Sequence, residues 1–185
     1  EEVFNFNDGD DEIETGNGND FVAVGGDGGW NEVDTRGGDD MVRVDSSEGF
    51  IEAGVDLGLG NDILDLSGAF DTYVQLEHYD SAFTSGITVH INGVTNVGRV
   101  EKQGGDQTAI IDVTNAMNTG GFGVHGTAHD DVFNVTSSEG SWWGGGFVQV
   151  RGNGGNDVIN VGESDGWVRL DYRNAPAGIV ADLGA

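Results

Sequence analysis

The chain has 185 residues, enough for one sizeable domain or two small ones. It carries 33 acidic residues against 7 basic ones, a formal net charge of −26, with 34 Gly, 1 Pro and no Cys. These numbers exclude disulfides and Cys-based zinc sites and make nucleic acid and anionic membranes poor partners, since both need clustered Lys and Arg; the charge itself fits disorder, a halophilic surface or bound cations.

Hydrophobic residues make up 36%, so a core is affordable only if thin. No apolar run approaches the length of a membrane span, and no membrane insertion is expected. The chain opens without a signal peptide and reads as a piece of a longer protein.

From the N-terminus, a marker residue is repeatedly followed by an alternating run. VFNF follows Glu2, EIET follows Asp11, FVAV follows Asp20, EVDT follows Asn31, MVRV follows Asp40, FIEA follows Gly49 and ILDL follows Asp62. The markers are 9, 9, 11, 9, 9 and 13 residues apart, a nine-residue lattice with two insertions. The pattern returns after Asp131, Asp157 and Gly166.

Alternation predicts strands with one face in and one face out. Phe4, Phe6, Ile13, Val22, Val24, Val33, Val42, Val44, Ile51, Leu64 and Leu66 form the expected inner face. Asn5, Glu12, Glu14, Glu32, Asp34, Arg43, Glu52 and Asp65 fall on the outer one. Strands this short bury nothing alone, so the units must stack. The expected fold is therefore all-β, a parallel β-solenoid. Residues 1–67 read as a first roll and 126–169 as a second. Residues 68–125 read as irregular β coils or an inserted β unit, with strand character at 72–76, 87–91 and 109–113. Residues 170–185 read as the start of a further repeat, cut short.

The turns differ by edge. One edge reads GNGND (16–20), RGGDD (36–40), GLGND (58–62) and GNGGND (152–157). The other reads NDGDD (7–11), GGDGGWN (25–31), DSSEG (45–49), TSSEG (136–140) and GESDG (162–166).

GNGNDFVAV, GLGNDILDL and GNGGNDVIN resemble the nonapeptide repeat of the RTX calcium-binding proteins. GTAHDDVFNV (126–135) resembles a related form at the start of such arrays. LDYRNAPAGIVADLG (170–184) resembles the segment that often precedes an array, and GITVHING (86–93) a diverged copy of it. The resemblance implies a right-handed parallel β-roll with glycine-rich calcium-binding turns, several bound Ca2+ ions and folding triggered by calcium. It also implies type I secretion, to the outside or the cell surface of a Gram-negative bacterium.

The physical argument stands beside the resemblance. Calcium takes six to eight oxygen ligands, and glycine turns can aim backbone carbonyls at one ion through dihedrals other residues avoid. One carboxylate per turn completes the shell. Without an ion, Asp20, Asp40 and Asp62 would stack as like charges on one edge, which is unfavourable. The expected ligands are Asp20, Asp40, Asp62 and Asp157, then Asp11 and Asp131, with carbonyls of Gly16, Gly18, Gly37, Gly58, Gly60 and Gly154. Gly-Asn-Asp turns are also ordinary turns, but ordinary turns do not recur with Asp at a fixed phase. On the other edge Asn31 and Gly49 replace Asp, so sites there are either absent or built from Asp8, Asp27, Asp45 or Glu48.

Trp30, Trp142, Trp143 and Trp167 gather at the second edge, with Phe50 and Phe147 in equivalent places. Such a line suits covering a thin core or a solenoid end, stacking on sugar rings, or anchoring protein contacts. Glu77-His78-Tyr79-Asp80 is a dense acid/base cluster, but on a strand its side chains point to opposite faces. His125 and His129 lie in a Gly-rich stretch, and no Ser-His-Asp elbow or phosphate loop appears. The chain is accordingly not read as an enzyme. The expected function is a calcium-binding structural module: spacer, scaffold or assembly unit. Its strand-like ends suggest end-to-end self-association in calcium. The alternative is a carbohydrate-binding accessory module of a secreted polysaccharide-acting enzyme, with glycan as partner.

Overall fold

The computed structural model describes residues 3–6, 9–26, 28–46, 51–70, 72–77, 83–93, 95–102, 110–115, 119–136, 147–162 and 166–175. In chain order the strands are β1 (Val3–Phe6), β2 (Asp11–Glu14), β3 (Phe21–Gly25), β4 (Trp30–Asp34), β5 (Met41–Asp45), β6 (Glu52–Asp56), β7 (Asn61–Gly68) and β8 (Tyr73–Glu77). They continue with β9 (Ile87–Asn92), β10 (Val97–Lys102), β11 (Ile110–Thr114), β12 (Gly121–His125), β13 (Val132–Thr136), β14 (Phe147–Arg151), β15 (Val158–Val161) and β16 (Val168–Leu170). Among the described residues there is no helix.

The chain winds as a β-solenoid of about 6 turns, alternating between two sheets. The first has 9 strands in the order β1-β3-β5-β7-β11-β10-β9-β13-β15, and the second has 7 in the order β16-β14-β12-β8-β6-β4-β2. Parallel register aligns the apolar positions coil upon coil. Val22 pairs with Val42 and Val42 with Leu64 in the first sheet. In the second, Val33 pairs with Val55, Val55 with Leu76, Leu76 with Val124, and Val124 with Val150. All of these are buried. The alternation in sequence thus becomes two facing apolar surfaces, because a residue and the one two places on share a face.

Within residues 68–125, read as irregular β coils or an inserted β unit, the strand direction reverses at one place. β10 runs antiparallel to both β9 and β11. β11 then pairs parallel with β7, and β9 parallel with β13. The meander fills sheet one, while β12 follows β8 directly in sheet two. Sheet one therefore gains two strands over its partner, about 10 Å of extra sheet. Beside this mismatch stand the bulkiest core side chains, Phe122 on β12 and Phe133 on β13, both fully buried. Burying a side chain of that class contributes about 1.5–3 kcal/mol.

Candidate metal centre

The turns before β3, β5 and β7 lie on one edge and stack. Leu59 N–H donates to Arg36 O at 2.9 Å and Gly38 N–H to Leu59 O at 3.0 Å, so ladder bonds continue through the turn backbones. Glycine is required where the turns press together. Gly38 has φ 138°, and a Cβ there would lie 2.2 Å from Gly18 O. Gly58 has φ 64°, and its Cβ would lie 1.7 Å from Arg36 O. Neither dihedral nor space admits a side chain.

The marker aspartates share strand parity with the core valines, so they close the apolar column from the inside. Asp20, Asp40 and Asp62 are 7%, 2% and 1% exposed. Asp40 and Asp62 each accept from the coil before them: Asp20 N–H donates to Asp40 Oδ1 at 2.8 Å, and Asp40 N–H to Asp62 Oδ1 at 2.9 Å. The remaining oxygens, Asp40 Oδ2 and Asp62 Oδ2, are buried without a hydrogen-bond partner. A buried carboxylate oxygen without a donor is costly. Burial first, then the charges of Asp40, Asp39 and Asp56, push the Asp62 carboxyl up to about 7 against a backbone hydrogen bond that lowers it. Burial raises Asp40 as well, helped by the Asp20 and Asp39 charges and opposed by the Asp20 N–H and the Thr35 hydroxyl, which lower it.

The column resumes after the meander. Asp131 N–H donates to Asp157 Oδ1 at 3.0 Å, and burial with the Asp131 and Asp130 charges lifts Asp157 to about 6. Asp131 itself is differently placed. Ile87 N–H and Thr127 Oγ1 donate to its Oδ1 at 2.7 and 3.0 Å, and Thr127 N–H to its Oδ2 at 2.8 Å. Both of its oxygens are engaged by internal donors. Asp11 is half-buried on β2, in register with Asn31.

Of the expected carbonyl donors, Gly16 and Gly18 precede β3, Gly37 precedes β5 and bridges to Leu59, and Gly58 and Gly60 precede β7. Gly154 precedes β15 and donates its N–H to Thr127 O at 3.2 Å. Among the described residues, no three His, Cys, Asp or Glu side chains converge on a point. An ion held here would draw mainly on backbone carbonyls, with roughly one aspartate per coil. The donor set is all oxygen, which suits a hard cation such as calcium.

A second column escaped the sequence reading. One place before each marker, Asp39 N–H donates to Asn19 Oδ1 at 3.0 Å, and Asn61 N–H to Asp39 Oδ1 at 3.0 Å. Asn156 N–H likewise donates to Asp130 Oδ1 at 2.7 Å. The signal was there: an Asn or Asp precedes Asp20, Asp40, Asp62, Asp131 and Asp157.

Glu77 and His125 are both buried, with Oε1 and Nδ1 3.5 Å apart, while the His129 ring meets Phe83 O at 3.1 Å. His125 and His129 therefore have different surroundings. Trp30 and Trp167 are 37% and 81% exposed. His78, Tyr79, Asp80, Asp8, Asp27, Glu48, Phe50, Trp142 and Trp143 lie outside the described residues. No protein-family model, curated protein or solved structure matches the chain.

Proposed function

We propose that this chain is a calcium-binding structural module whose solenoid is completed by cations along the glycine-turn edge. The observation that carries the reading is the pair of buried, partnerless oxygens Asp40 Oδ2 and Asp62 Oδ2 on successive coils. A cation between stacked turns would satisfy both and neutralise a column that burial and like charge otherwise push toward protonation. The −26 charge supports the same view, since it opposes compaction until counter-charge is bound. Asp20, Asp40, Asp62 and Asp157 are the proposed carboxylate ligands, and Asp131 serves the fold through its internal donors.

The nonapeptide resemblance extends the proposal to an RTX-type module exported by type I secretion, working outside the cell as spacer or scaffold without catalysis. Self-association of copies in calcium by stacking of coils belongs to the same proposal. The deciding experiment is a calcium titration followed by far-ultraviolet circular dichroism. A coil-like spectrum in chelator and a β spectrum in millimolar calcium are expected. A full β spectrum with a sharp thermal transition in chelator would overturn the reading. Light scattering in calcium tests the stacking, and a monomer mass at all concentrations removes it.

A further inference from the structure

The outward face of the second sheet is not uniform. Register sets Trp30, Glu52, Tyr73, Gly121 and Phe147 in one row across the strands. Glu12, Glu32, Gly54, Gln75, Gly123, Gln149 and Arg169 form the next. Toward β2 these rows, with Glu14, Asp34 and Asp56 beside them, are acidic. Toward β16 they become aromatic, amide and cationic.

There a cleft of about 960 Å³ opens. The Tyr73 and Phe147 rings stack across its floor, with centroids 5.6 Å apart and planes at 21°. They can do so because Gly121 lies between them: a Cβ on it would come within 2.4 Å of the Phe147 ring and 2.9 Å of the Tyr73 ring. Gln75 and Gln149 flank the bare backbone of Gly123. Arg151, Arg169 and Arg173 line the same cleft against a single lining carboxylate, Glu52, and are three of the 7 cationic residues of a strongly acidic chain. Arg151 and Arg173 both bind Asp171, at 3.0 and 2.6 Å. Arg151 Nε is nevertheless buried without a partner. Arg169 is exposed and has no ion pair among the described residues.

We propose that this cleft binds a carboxylated sugar, a uronate unit of an acidic polysaccharide. The stacked rings offer an apolar platform for one pyranose face. Gln75 and Gln149 each present donor and acceptor to ring hydroxyls. Arg169, exposed at the cleft, takes the carboxylate, the planar fork suiting that shape. A peptide fits less well, because β12 already pairs with β8 and β14 and leaves no ladder for a peptide main chain. The site is separate from the metal edge and does not depend on calcium serving there.

The test is calorimetric titration of tetragalacturonate into protein whose β spectrum has been verified, at fixed free calcium. This separates a failure of folding from a failure of binding. Saturable binding is expected, with the fully methyl-esterified tetrasaccharide weaker by about tenfold or more. Arg169→Gln and Tyr73→Leu should each weaken binding by about tenfold, while Arg43→Gln, on the other sheet, should leave it unchanged. Absence of binding by the folded protein overturns the proposal. So do equal binding of the methyl ester, equal binding of tetraglutamate, or equal loss in Arg43→Gln.

Discussion

The amide of Asp40 donates to Oδ1 of Asp62 at 2.9 Å, while Oδ2 of the same carboxylate is buried with no partner. One oxygen works as a rung joining two coils and the other is left for something else to satisfy. Since Asp20 N–H binds Asp40 in the same way, the arrangement is a repeat and each coil sets up the next. The marker aspartate is thus both part of the sheet and the ligand proposed at its edge.

Protons should partly replace calcium. Asp62 and Asp157 titrate at about 7 and about 6 in the fold, above an ordinary 3.8. A carboxyl with a raised folded pKa binds its proton more tightly folded than unfolded. Its contribution is complete below the unfolded value and is lost as pH rises through the folded one. In chelator, the β signal should therefore grow on acidification from about pH 8 to about pH 5, and the calcium midpoint should tighten in the opposite direction. Circular dichroism at a series of pH values checks both. A chelated chain that loses β structure on acidification contradicts the raised values.

Substitution of Asp40 separates its two roles. Asp40→Asn keeps an oxygen for Asp20 N–H and removes the charge. It should favour the calcium-free fold above pH 7 and weaken calcium binding by about tenfold. Asp40→Ala removes the rung as well, leaves a buried amide unsatisfied and should cost about 1–3 kcal/mol in saturating calcium. Equal calcium midpoints for wild type and Asp40→Asn would remove Asp40 from the ligand set.

Much of this fold is legible because a period of two is hard to mistake. The run after Asp20 became β3 and the run after Asp40 became β5, with Val22, Val24, Val42 and Val44 buried as expected. Strands expected at 72–76, 87–91 and 109–113 appear one residue displaced or extended, as β8, β9 and β11. What escaped was set by partners far away in sequence. VGRVEK carries Gly98 and three charges, and becomes β10 because β9 and β11 pair with it on both sides. GFGVH belongs to a Gly-rich stretch, yet Gly121 is a strand residue whose missing side chain makes room for Tyr73 and Phe147. The cleft was illegible for the same reason: nothing in either segment alone says that β8 and β12 are neighbours.

The seam beside the meander depends on volume. Phe122→Ala should cost about 3–5 kcal/mol, read by denaturant unfolding in saturating calcium. Phe122→Leu should cost distinctly less, because it leaves a smaller cavity. Similar losses for the two would mean that this part of the core can collapse and that the fit of Phe122 against its neighbours contributes little.

Two glycine substitutions should differ in kind, although each adds one methyl group. At Gly38 the new Cβ would lie 2.2 Å from Gly18 O and 2.6 Å from its carbonyl carbon, both backbone atoms of the next turn, at φ 138°. Backbone held in a ladder cannot step aside, so Gly38→Ala must separate two coils. It should destabilise by more than about 2 kcal/mol and weaken calcium binding with it. At Gly121 the Cβ would meet the rings of Phe147 and Tyr73, at 2.4 and 2.9 Å. Those rings are partly exposed side-chain ends lining an open cleft and can rotate away. Gly121→Ala should therefore cost about 1 kcal/mol and leave the calcium midpoint unchanged. It should alter the near-ultraviolet dichroism, because the Tyr73–Phe147 stack must open. Paired melts in calcium, with near-ultraviolet spectra, give both readouts, and a Gly121→Ala protein that loses calcium affinity as Gly38→Ala does would show that the cleft and the metal edge are one mechanical unit.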